Sequence, residues 1–219
     1  MKTLLSWSTG KDSAWSLHLL KQDRNVQLAG LFTTVNEAFD RVAMHAVRRD
    51  ILQAQARAAG LPLHVIPIPW HCSNEEYERR LGAFVEKAKG DGVEAMAFGD
   101  LFLGDIRAYR ERNLAGTGIE PIFPVWGLPT DRLARDMVEG GLRARVTCVD
   151  PGKLDRSFAG RVFDGRFLAD LPAGVDPCGE NGEFHTCVHA GPMFAAPIAL
   201  EPGGIAERDG FVFADMKLA

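Results

Sequence analysis

Residues 4–13 read LLSWSTGKDS, a pattern that predicts a strand followed by a tight turn and a helix. The apolar run at residues 4–7 predicts a buried strand, and residues 13–21 carry apolar side chains at helical spacing. The turn between them is rich in hydroxyl side chains and contains one Lys and one Asp. Such a turn could be a connection whose Asp or Ser caps the helix, or it could be a cradle for an anion. Position and composition alone leave both interpretations open.

As an anion site, the turn would use the start of the helix. A helix start offers unpaired N–H groups and a partial positive charge, at the edge of a parallel sheet where ligands bind. Lys11 would add a cation, and Asp12 could hold Mg²⁺ against phosphate oxygens. The turn is not a Walker A loop, which needs Gly where Leu5 stands, and the Rossmann G-x-G-x-x-G is absent. The residues predicted to bind phosphate are Ser8, Thr9, Gly10, Lys11, Asp12 and Ser13.

Strand-like and helix-like segments alternate through about the first 125 residues. The predicted strands are residues 4–7, 26–34, 63–68, 95–98 and 121–123, and the predicted helices are residues 13–21, 47–59, 77–89 and 106–113. This alternation predicts a parallel sheet that is covered on both faces.

The pattern changes after Thr130. A helix at residues 131–139 and a strand at 143–149 are followed by Gly- and Pro-rich sequence with short strand-like pieces at 184–189 and 211–216. We therefore expect an α/β nucleotide-binding domain over residues 1–128. A smaller α+β lobe on the substrate side would occupy residues 129–219.

Bulk properties narrow the class of protein. A chain of 219 residues buries roughly 70% of its unfolded surface, so its fold needs neither a disulfide nor a metal. A formal net charge of −4 gives no basic bias, and a nucleic acid is not the expected partner. The sequence shows no signal peptide, no membrane-length apolar stretch and no regular cysteine framework. We expect a soluble cytoplasmic protein with reduced thiols.

A second polar cluster follows the fourth predicted strand. Gly99 would let a ligand approach the backbone, and Asp100 could bind a hydroxyl, an amine or Mg²⁺. On the helix that follows, Glu111 is a candidate substrate ligand, whereas Arg110 and Arg112 are read as surface residues in ion pairs.

A third cluster, DPCGENGEFHT, occupies residues 176–186. Its glycines allow a tight backbone, so that Glu180, Asn181, Glu183 and His185 could converge on one polar site. Asn181 and Gly182 also suit the type I′ turn of a hairpin. A zinc site is a further alternative, although its spacing fits no common pattern, and its ligands would be Cys178, His185, Cys187 and His189. A zinc deaminase is excluded, since P-C-x-x-C is incomplete and H-x-E is absent.

Two of these clusters resemble known motifs. Residues 8–13 resemble the S-G-G-x-D-S pyrophosphate loop of the N-type ATP pyrophosphatases, with Thr9 at the family's first Gly. If the loop needs a positive φ there, Thr9 is strained. Residues 176–186 are similar to the signature of the diphthine–ammonia ligase family, a branch of those enzymes. Gly99 with Asp100, residues 123–126, and residues 160–161 match that family in the same order, so the resemblance spans almost the whole chain.

The resemblance implies an adenine nucleotide α-hydrolase-like (HUP/Rossmann-like) fold and an ATP-dependent ligase. Members of the family use ATP to activate the carboxylate of diphthine, a modified histidine on elongation factor 2, and ammonia then displaces AMP. The expected partners are ATP with Mg²⁺, ammonium, and a carboxylate on a small molecule or a protein side chain. The chain could also form a homodimer. The expected catalytic residues are Lys11, Asp12, Glu180, Glu183 and His185, and the expected substrate ligands are Asn181, Thr186 and Glu111.

Two alternatives to this function stay open. The loop at residues 8–13 and the stretch FGDLFLGDIRAYRE look more like those of bacterial members of the family. A bacterial member would need another acceptor, such as a small acid or a modified nucleoside. The chain could also be a nucleotide sensor without turnover. His45 could approach a bound adenosine, although a lone His on a helix is more often a surface or core residue.

Overall fold

The computed structural model describes residues 1–38, 41–42 and 47–219. Within these ranges the chain forms two sheets, and the first sheet takes up the amino-terminal half. Its strands are β1 (Lys2–Ser6), β2 (Gln27–Asn36), β3 (Arg41–Val42), β4 (Leu63–Ile68), β5 (Ala95–Ala97) and β6 (Glu120–Ile122). Its helices are α1 (Lys11–Leu20), α2 (Arg49–Ala59), α3 (Asn74–Gly90) and α4 (Gly104–Leu114).

The first sheet is parallel except for its shortest strand. The order is β3-β2-β1-β5-β6, with β4 also paired to β2, and β3 alone among the described strands of this sheet runs antiparallel. Leu4 and Leu5 are neighbours in β1 but belong to different hydrophobic clusters. Because successive side chains of a strand point to opposite faces, both faces of the sheet are covered. This confirms the predicted α/β fold class.

The second sheet is antiparallel and lies in the carboxyl-terminal half. Its strands are β7 (Arg143–Val149), β8 (Val162–Phe163), β9 (Phe184–Ala190), β10 (Leu200–Arg208) and β11 (Phe211–Leu218). Its helices are α5 (Thr130–Glu139), α6 (Gly165–Asp170) and a 3-10 turn at Arg156–Phe158. The order is β10-β11-β7-β8, and β9 pairs with β7. The predicted division of the chain at residue 128 stays a prediction.

The sequence-based prediction lacks the short elements β3, β8 and α6, the 3-10 turn and the nine-residue strand β10. β10 contains Pro202, Gly203 and Gly204, a composition that favours a turn. The strand survives because its register with β11 shifts between Pro202 and Ile205. Gly203 is needed there, since an added Cβ would lie 2.9 Å from the Cβ of Asp215.

The hairpin interpretation of Asn181 and Gly182 is wrong. A type I′ turn requires a positive φ at both central residues, and only Gly182 has one, at 81°. Residues 171–183 contain no strand, so this segment is a loop that leads from α6 into β9.

Strand β9 contacts the turn that follows β1 and joins the two sheets. The N–H of Val188 donates to the carbonyl of Thr9 at 3.0 Å, and the N–H of Lys11 donates to the hydroxyl of Thr186 at 3.1 Å. Behind this contact lie three buried aromatic rings, Phe163, Phe167 and Phe184. The turn after β1 is therefore held by both halves of the chain.

No helix among the described residues is long and apolar enough to cross a membrane. The four cysteines carry free thiols.

Gly99 lies where the first helix approaches the sheet. A Cβ at this position would be 3.0 Å from the carbonyl carbon of Asp12 and 3.0 Å from the N of Ser13. These are backbone atoms of α1, which have little freedom to move aside. The close approach that Gly99 permits is therefore that of the helix backbone, in addition to any ligand.

We predict that Gly99→Ala lowers the free energy of unfolding by about 1–3 kcal/mol, the usual cost of overpacking. Gly82→Ala is the matched control, because Gly82 lies in α3 with no atom within 4 Å of an added Cβ. The control should raise stability by about 0.5–1 kcal/mol, as for other exposed helical glycines. Urea unfolding measures both changes, and equal effects of the two substitutions would contradict the packing argument.

Candidate active site

Three separate parts of the sequence meet in one cavity of about 210 Å³ at the carboxyl ends of β1 and β5. They are the turn after β1, the segment after β5, and the loop that leads into β9. This volume is below the roughly 300–1,000 Å³ of pockets that hold whole small molecules, and it suits a pyrophosphate-sized group. The lining residues are Ser6, Ser8, Lys11, Asp12, Ser13, Phe98, Gly99, Asp100, Arg110, Cys178, Gly179, Glu180, Phe184, His185 and Thr186.

Helix α1 begins at this cavity with an N-cap residue that has no side chain, and the hydroxyl of Thr186 accepts from the N–H of Lys11. Gly10 is the N-cap residue and provides no side-chain acceptor for the first N–H groups. The hydroxyl of Ser13 donates back to the carbonyl of Gly10 at 3.0 Å and lies 3.1 Å from the hydroxyl of Ser8. The alternative in which this turn serves for capping alone is therefore not what the structure contains. The partial positive charge of the helix start stays available to an anion.

Thr9 is held in a strained conformation. Its φ is 73°, in the left-handed region that β-branched residues rarely adopt. The residue is fully buried, and its hydroxyl has no hydrogen-bond partner among the described residues. The expected strain is thus present. The side chain of Thr9 does not line the cavity, so its backbone rather than its hydroxyl defines the turn.

Lys11 lies at the back of the cavity in a closed environment. Its ammonium contacts Asp12 Oδ2 at 2.9 Å and the carbonyl of Cys178, and it lies over the rings of Phe163 and Phe184. Burial disfavours the charged form, but Asp12 and other neighbours outweigh this effect and hold the pKa of Lys11 above its ordinary value. An ammonium has three N–H donors, so one remains for a ligand after these two contacts.

Asp12 offers the cavity an oxygen without a hydrogen-bond partner. Its Oδ2 pairs with Lys11, whereas Oδ1 is buried and makes no hydrogen bond to the described residues. Burial raises the pKa of Asp12 above its ordinary value, and Lys11 opposes this shift. A bare carboxylate oxygen beside a phosphate site is the ligand that Mg²⁺ prefers. Asp12 therefore fits the predicted magnesium site.

The charge of the lining also favours a divalent cation. Two cationic side chains, Lys11 and Arg110, face three carboxyls, Asp12, Asp100 and Glu180. A cavity with this balance repels a polyphosphate unless a cation is added. Among the described residues no three His, Cys, Asp or Glu side chains converge on a metal position. The zinc alternative therefore has no support from the described residues.

Glu180 is a second carboxyl whose acidity the cavity changes. Burial raises the pKa of Glu180 to about 7, although the N–H of Leu101 donates to its Oε1 at 2.9 Å and opposes the shift. His185 lines the same cavity, and burial together with the charge of Lys11 lowers its pKa to about 4. At neutral pH the imidazole is therefore uncharged, and the carboxyl is near its midpoint.

The other predicted site residues divide into two groups. Thr186 lines the cavity, and its hydroxyl accepts from the N–H of Lys11. Glu183 and Asn181 do not line it: Glu183 Oε1 accepts from the N–H of Asp176 at 3.0 Å and from the side-chain amide of Asn181 at 3.2 Å, so the pair orders the loop. Their catalytic and substrate-binding roles stay predictions.

Glu111 also lies outside the cavity lining. It is exposed and pairs with Arg107 at 2.8 Å, so its predicted contact with substrate has no support from this position. His45 lies outside the described residues.

Arg110 and Gln55 are missing from the sequence-based site. Arg110 pairs with Asp100 at 3.3 Å and lies over the ring of Phe98, so it belongs to the cavity rather than the surface. Gln55 is fully buried behind the turn and donates to the carbonyl of Thr9 at 3.1 Å. The one sequence signal for Gln55 is a polar residue on the apolar stripe of α2, between Ile51 and Ala59.

Comparisons with known proteins cover nearly the whole chain and point to the same family. Residues 1–120 match the family model of the diphthamide synthase N-terminal domain, and residues 129–212 match that of the diphthamide synthase C-terminal domain. A diphthine–ammonia ligase of Schizosaccharomyces pombe is 25% identical over 95% of this chain. Diphthine–ammonia ligases of Bos taurus and Homo sapiens are 23% and 24% identical over 94%. The chain spans 37% of the yeast relative's length and 85% of each mammalian one.

We predict that Thr9→Gly raises the free energy of unfolding by about 1 kcal/mol. Glycine removes the left-handed strain, about 1–2 kcal/mol, and a buried hydroxyl without a partner, but it adds backbone entropy to the unfolded chain. Thr33→Gly in β2 is the matched control and should destabilise, since Thr33 is buried in an ordinary strand. Urea unfolding compares the two variants. A loss at Thr9 as large as that at Thr33 would mean that the turn stores no strain.

Proposed function

The chain belongs to the diphthamide synthase family, and from this premise we propose that it is an ATP-dependent ligase that joins ammonia to a carboxylate. The observation that carries the proposal is the meeting of a helix start with glycine at its N-cap, the bare oxygen of Asp12 and the carboxyl of Glu180 in one cavity. The first two suit a phosphate with its cation, and the third suits an amine. Curated relatives named diphthine–ammonia ligase support the same reaction class.

In the proposed first step, a substrate carboxylate oxygen attacks the α-phosphorus of ATP, and the bond to the bridging oxygen of the β-phosphate breaks. Pyrophosphate leaves toward the start of α1, where the partial positive charge of the helix and the remaining donor of the Lys11 ammonium stabilise its charge. Asp12, with Asp100 as a second carboxylate, would hold Mg²⁺. When bound, Mg²⁺ supplies charge neutralisation for the phosphate oxygens.

In the proposed second step, ammonia attacks the acyl carbon of the adenylate and AMP leaves. Ammonium is protonated at neutral pH, so a base must take one proton before attack. Glu180 suits this role better than His185, because its pKa is about 7 whereas that of His185 is about 4. Glu183 would act by ordering the loop that presents Glu180.

The identity of the acceptor, the molecule that carries the carboxylate, is a more specific part of the proposal. A second, more apolar cavity of about 500 Å³ shares His185 with the first and has room for the organic part of the nucleotide or the acceptor. Diphthine is the acceptor that the relatives' names suggest. A different carboxylate, on a small acid or a modified nucleoside, would use the same phosphate chemistry. We also propose a cytoplasmic enzyme with separate nucleotide-side and acceptor-side units that divide near residue 128, and a homodimer as one possible assembly.

The proposal predicts that the protein binds ATP with Mg²⁺ and releases AMP and pyrophosphate when ammonium and a suitable carboxylate are present. Asp12→Asn should weaken Mg²⁺-dependent ATP binding and lower turnover by about 10²-fold or more, because it removes the charge on the predicted metal ligand. Calorimetry with Mg²⁺ and ATP measures binding. Radiolabelled ATP measures turnover with diphthine-bearing protein and with a panel of small carboxylic acids.

Asp131→Asn is the matched control for this test. Asp131 is also the second residue of its helix, but it is exposed and pairs with Arg135 outside the cavity. Its substitution should leave ATP binding unchanged. ATP binding by Asp12→Asn as tight as in the unchanged protein would remove Asp12 from the site, and ATP binding without any turnover would favour the nucleotide sensor.

The position of Glu180 predicts a pH profile. Amide formation should rise as the pH increases through about 7, because only the ionised carboxylate accepts a proton from ammonium and the folded-state pKa is about 7. Glu180→Gln should lower the ammonium-dependent rate about 10²–10⁴-fold and remove this step from the profile. Glu86→Gln, at an exposed position of α3, is the control. An unchanged profile in Glu180→Gln would assign proton transfer to another group.

A further inference from the structure

Gln55 is a buried polar residue that the proposed mechanism does not use. It lies on α2 with no exposed surface, on the same face as Ile51 and Ala59. A carboxamide in such a position is costly to bury unless its donors and acceptor are all paired. Its contacts therefore show what the residue holds in place.

The side chain of Gln55 makes three good hydrogen bonds. Its Oε1 accepts from the indole N–H of Trp7 at 2.9 Å, and its Nε2 donates to the carbonyls of Thr9 at 3.1 Å and Val188 at 2.6 Å. The orientation of the amide follows from this network, because an indole can only donate and a carbonyl can only accept. An uncharged group with one acceptor and two donors satisfies all three partners at once.

Two of these three partners are the sequence neighbours of the cavity residue Ser8. Trp7 precedes Ser8 and Thr9 follows it, while Val188 belongs to β9 of the second sheet. The carbonyl of Thr9 receives two donors, Gln55 Nε2 and Val188 N. A strained φ persists only where the surroundings determine it, and these two bonds act on the strained residue itself.

We propose that Gln55 is a positioning residue that sets the backbone of the phosphate turn, residues 8–13, by fixing the carbonyl of Thr9 and joining it to β9. It touches no substrate; it acts through Thr9. The inference rests on the proposed function in one respect, namely that this turn receives the phosphates of ATP. Without Gln55, the carbonyl of Thr9 keeps only the bond from the N–H of Val188. The peptide after Thr9 is then less firmly oriented, and so is the start of α1 toward the cavity.

Two substitutions remove the donors in different ways. Gln55→Leu removes them at every pH. Gln55→Glu keeps the shape but carries one O–H donor when protonated and none when ionised, so its effect should depend on pH. The titratable group that the amide reaches is Cys187, at 3.8 Å, and burial raises the pKa of this thiol to about 12, so it stays neutral through the range tested. Trp7, Thr9 and Val188 carry no titratable group.

Gln53→Glu is the matched control, because it makes the same change two residues away on the exposed side of α2. The experiment measures the dissociation constant of ATP with Mg²⁺ by calorimetry at several pH values. Each variant is expressed as a ratio to the unchanged protein at the same pH, which removes the titration of ATP and of Glu180. Unfolding curves establish that each variant is folded at each pH.

The expected result is a dissociation constant for Gln55→Leu that is roughly tenfold or more above that of the unchanged protein, which corresponds to about 1.4 kcal/mol. For Gln55→Glu, the ratio should already exceed one while the carboxyl is protonated, because one of the two donors is lost. It should grow further as the carboxyl ionises, which burial shifts to higher pH. For Gln53→Glu, it should stay at one throughout. A residue that served stability alone would lower the unfolding midpoint and leave the dissociation constant of the folded protein unchanged.

The outcomes that overturn the inference differ from those that overturn the proposed function. If the unchanged protein binds ATP with Mg²⁺ and folded Gln55→Glu shows a ratio of one at every pH, Gln55 does not position the turn. If Gln55→Leu fails to fold, the pH series of Gln55→Glu still decides. If the unchanged protein binds no ATP, the proposed function fails and the inference fails with it.

Discussion

The structure of the site depends on one strained peptide unit, the one that follows Thr9. A β-branched residue in the left-handed region costs about 1–2 kcal/mol and needs compensation nearby. Here the carbonyl of that residue accepts one bond from Gln55 and one from Val188. The partners are 46 and 179 positions away along the chain, and they belong to a helix on the first sheet and to a strand of the second sheet. The phosphate turn is therefore a tertiary feature, and the second sheet holds the nucleotide side as well as contributing its own residues.

The same arrangement explains why a lysine can be buried at this point. An isolated charge in a protein interior is strongly disfavoured, and Lys11 is almost fully buried. It is compensated by the carboxylate of Asp12, the carbonyl of Cys178 and the faces of two aromatic rings. These groups come from both halves of the chain, so the two halves must be packed together before the cation is stabilised. Without the carboxyl-terminal half, the ammonium would lose the carbonyl of Cys178 and both aromatic rings and would keep only the carboxylate of Asp12.

The sequence predicts local features well and long-range ones poorly. The strands and helices of the first sheet follow from apolar periodicity and from the Gly and Pro residues that end each element. The carboxyl ends of β1 and β5 lie close together because parallel strands end at the same edge of a sheet. Only the family resemblance predicts that the loop before β9 lies near this edge of the first sheet. Gln55 is missing from the sequence-based site because a hydrogen bond to a residue 133 positions away leaves no local pattern. Arg110 is missing although its partner Asp100 is only 10 positions away, since charged residues on a helix usually face solvent. β10 was missed because Pro202 and two glycines read as a turn, and its pairing with β11 overrides that preference.

Burial reverses the order of basicity between the two candidate bases. In water an imidazole is more basic than a carboxyl by about two pKa units, and from sequence His185 is the natural choice for a base at neutral pH. Desolvation disfavours whichever form is charged, so it raises the pKa of a carboxyl and lowers that of an imidazole. In this cavity the pKa of Glu180 rises to about 7 and that of His185 falls to about 4. Residue type alone could not give this order, because it is set by the surrounding chain that excludes water and by the position of Lys11.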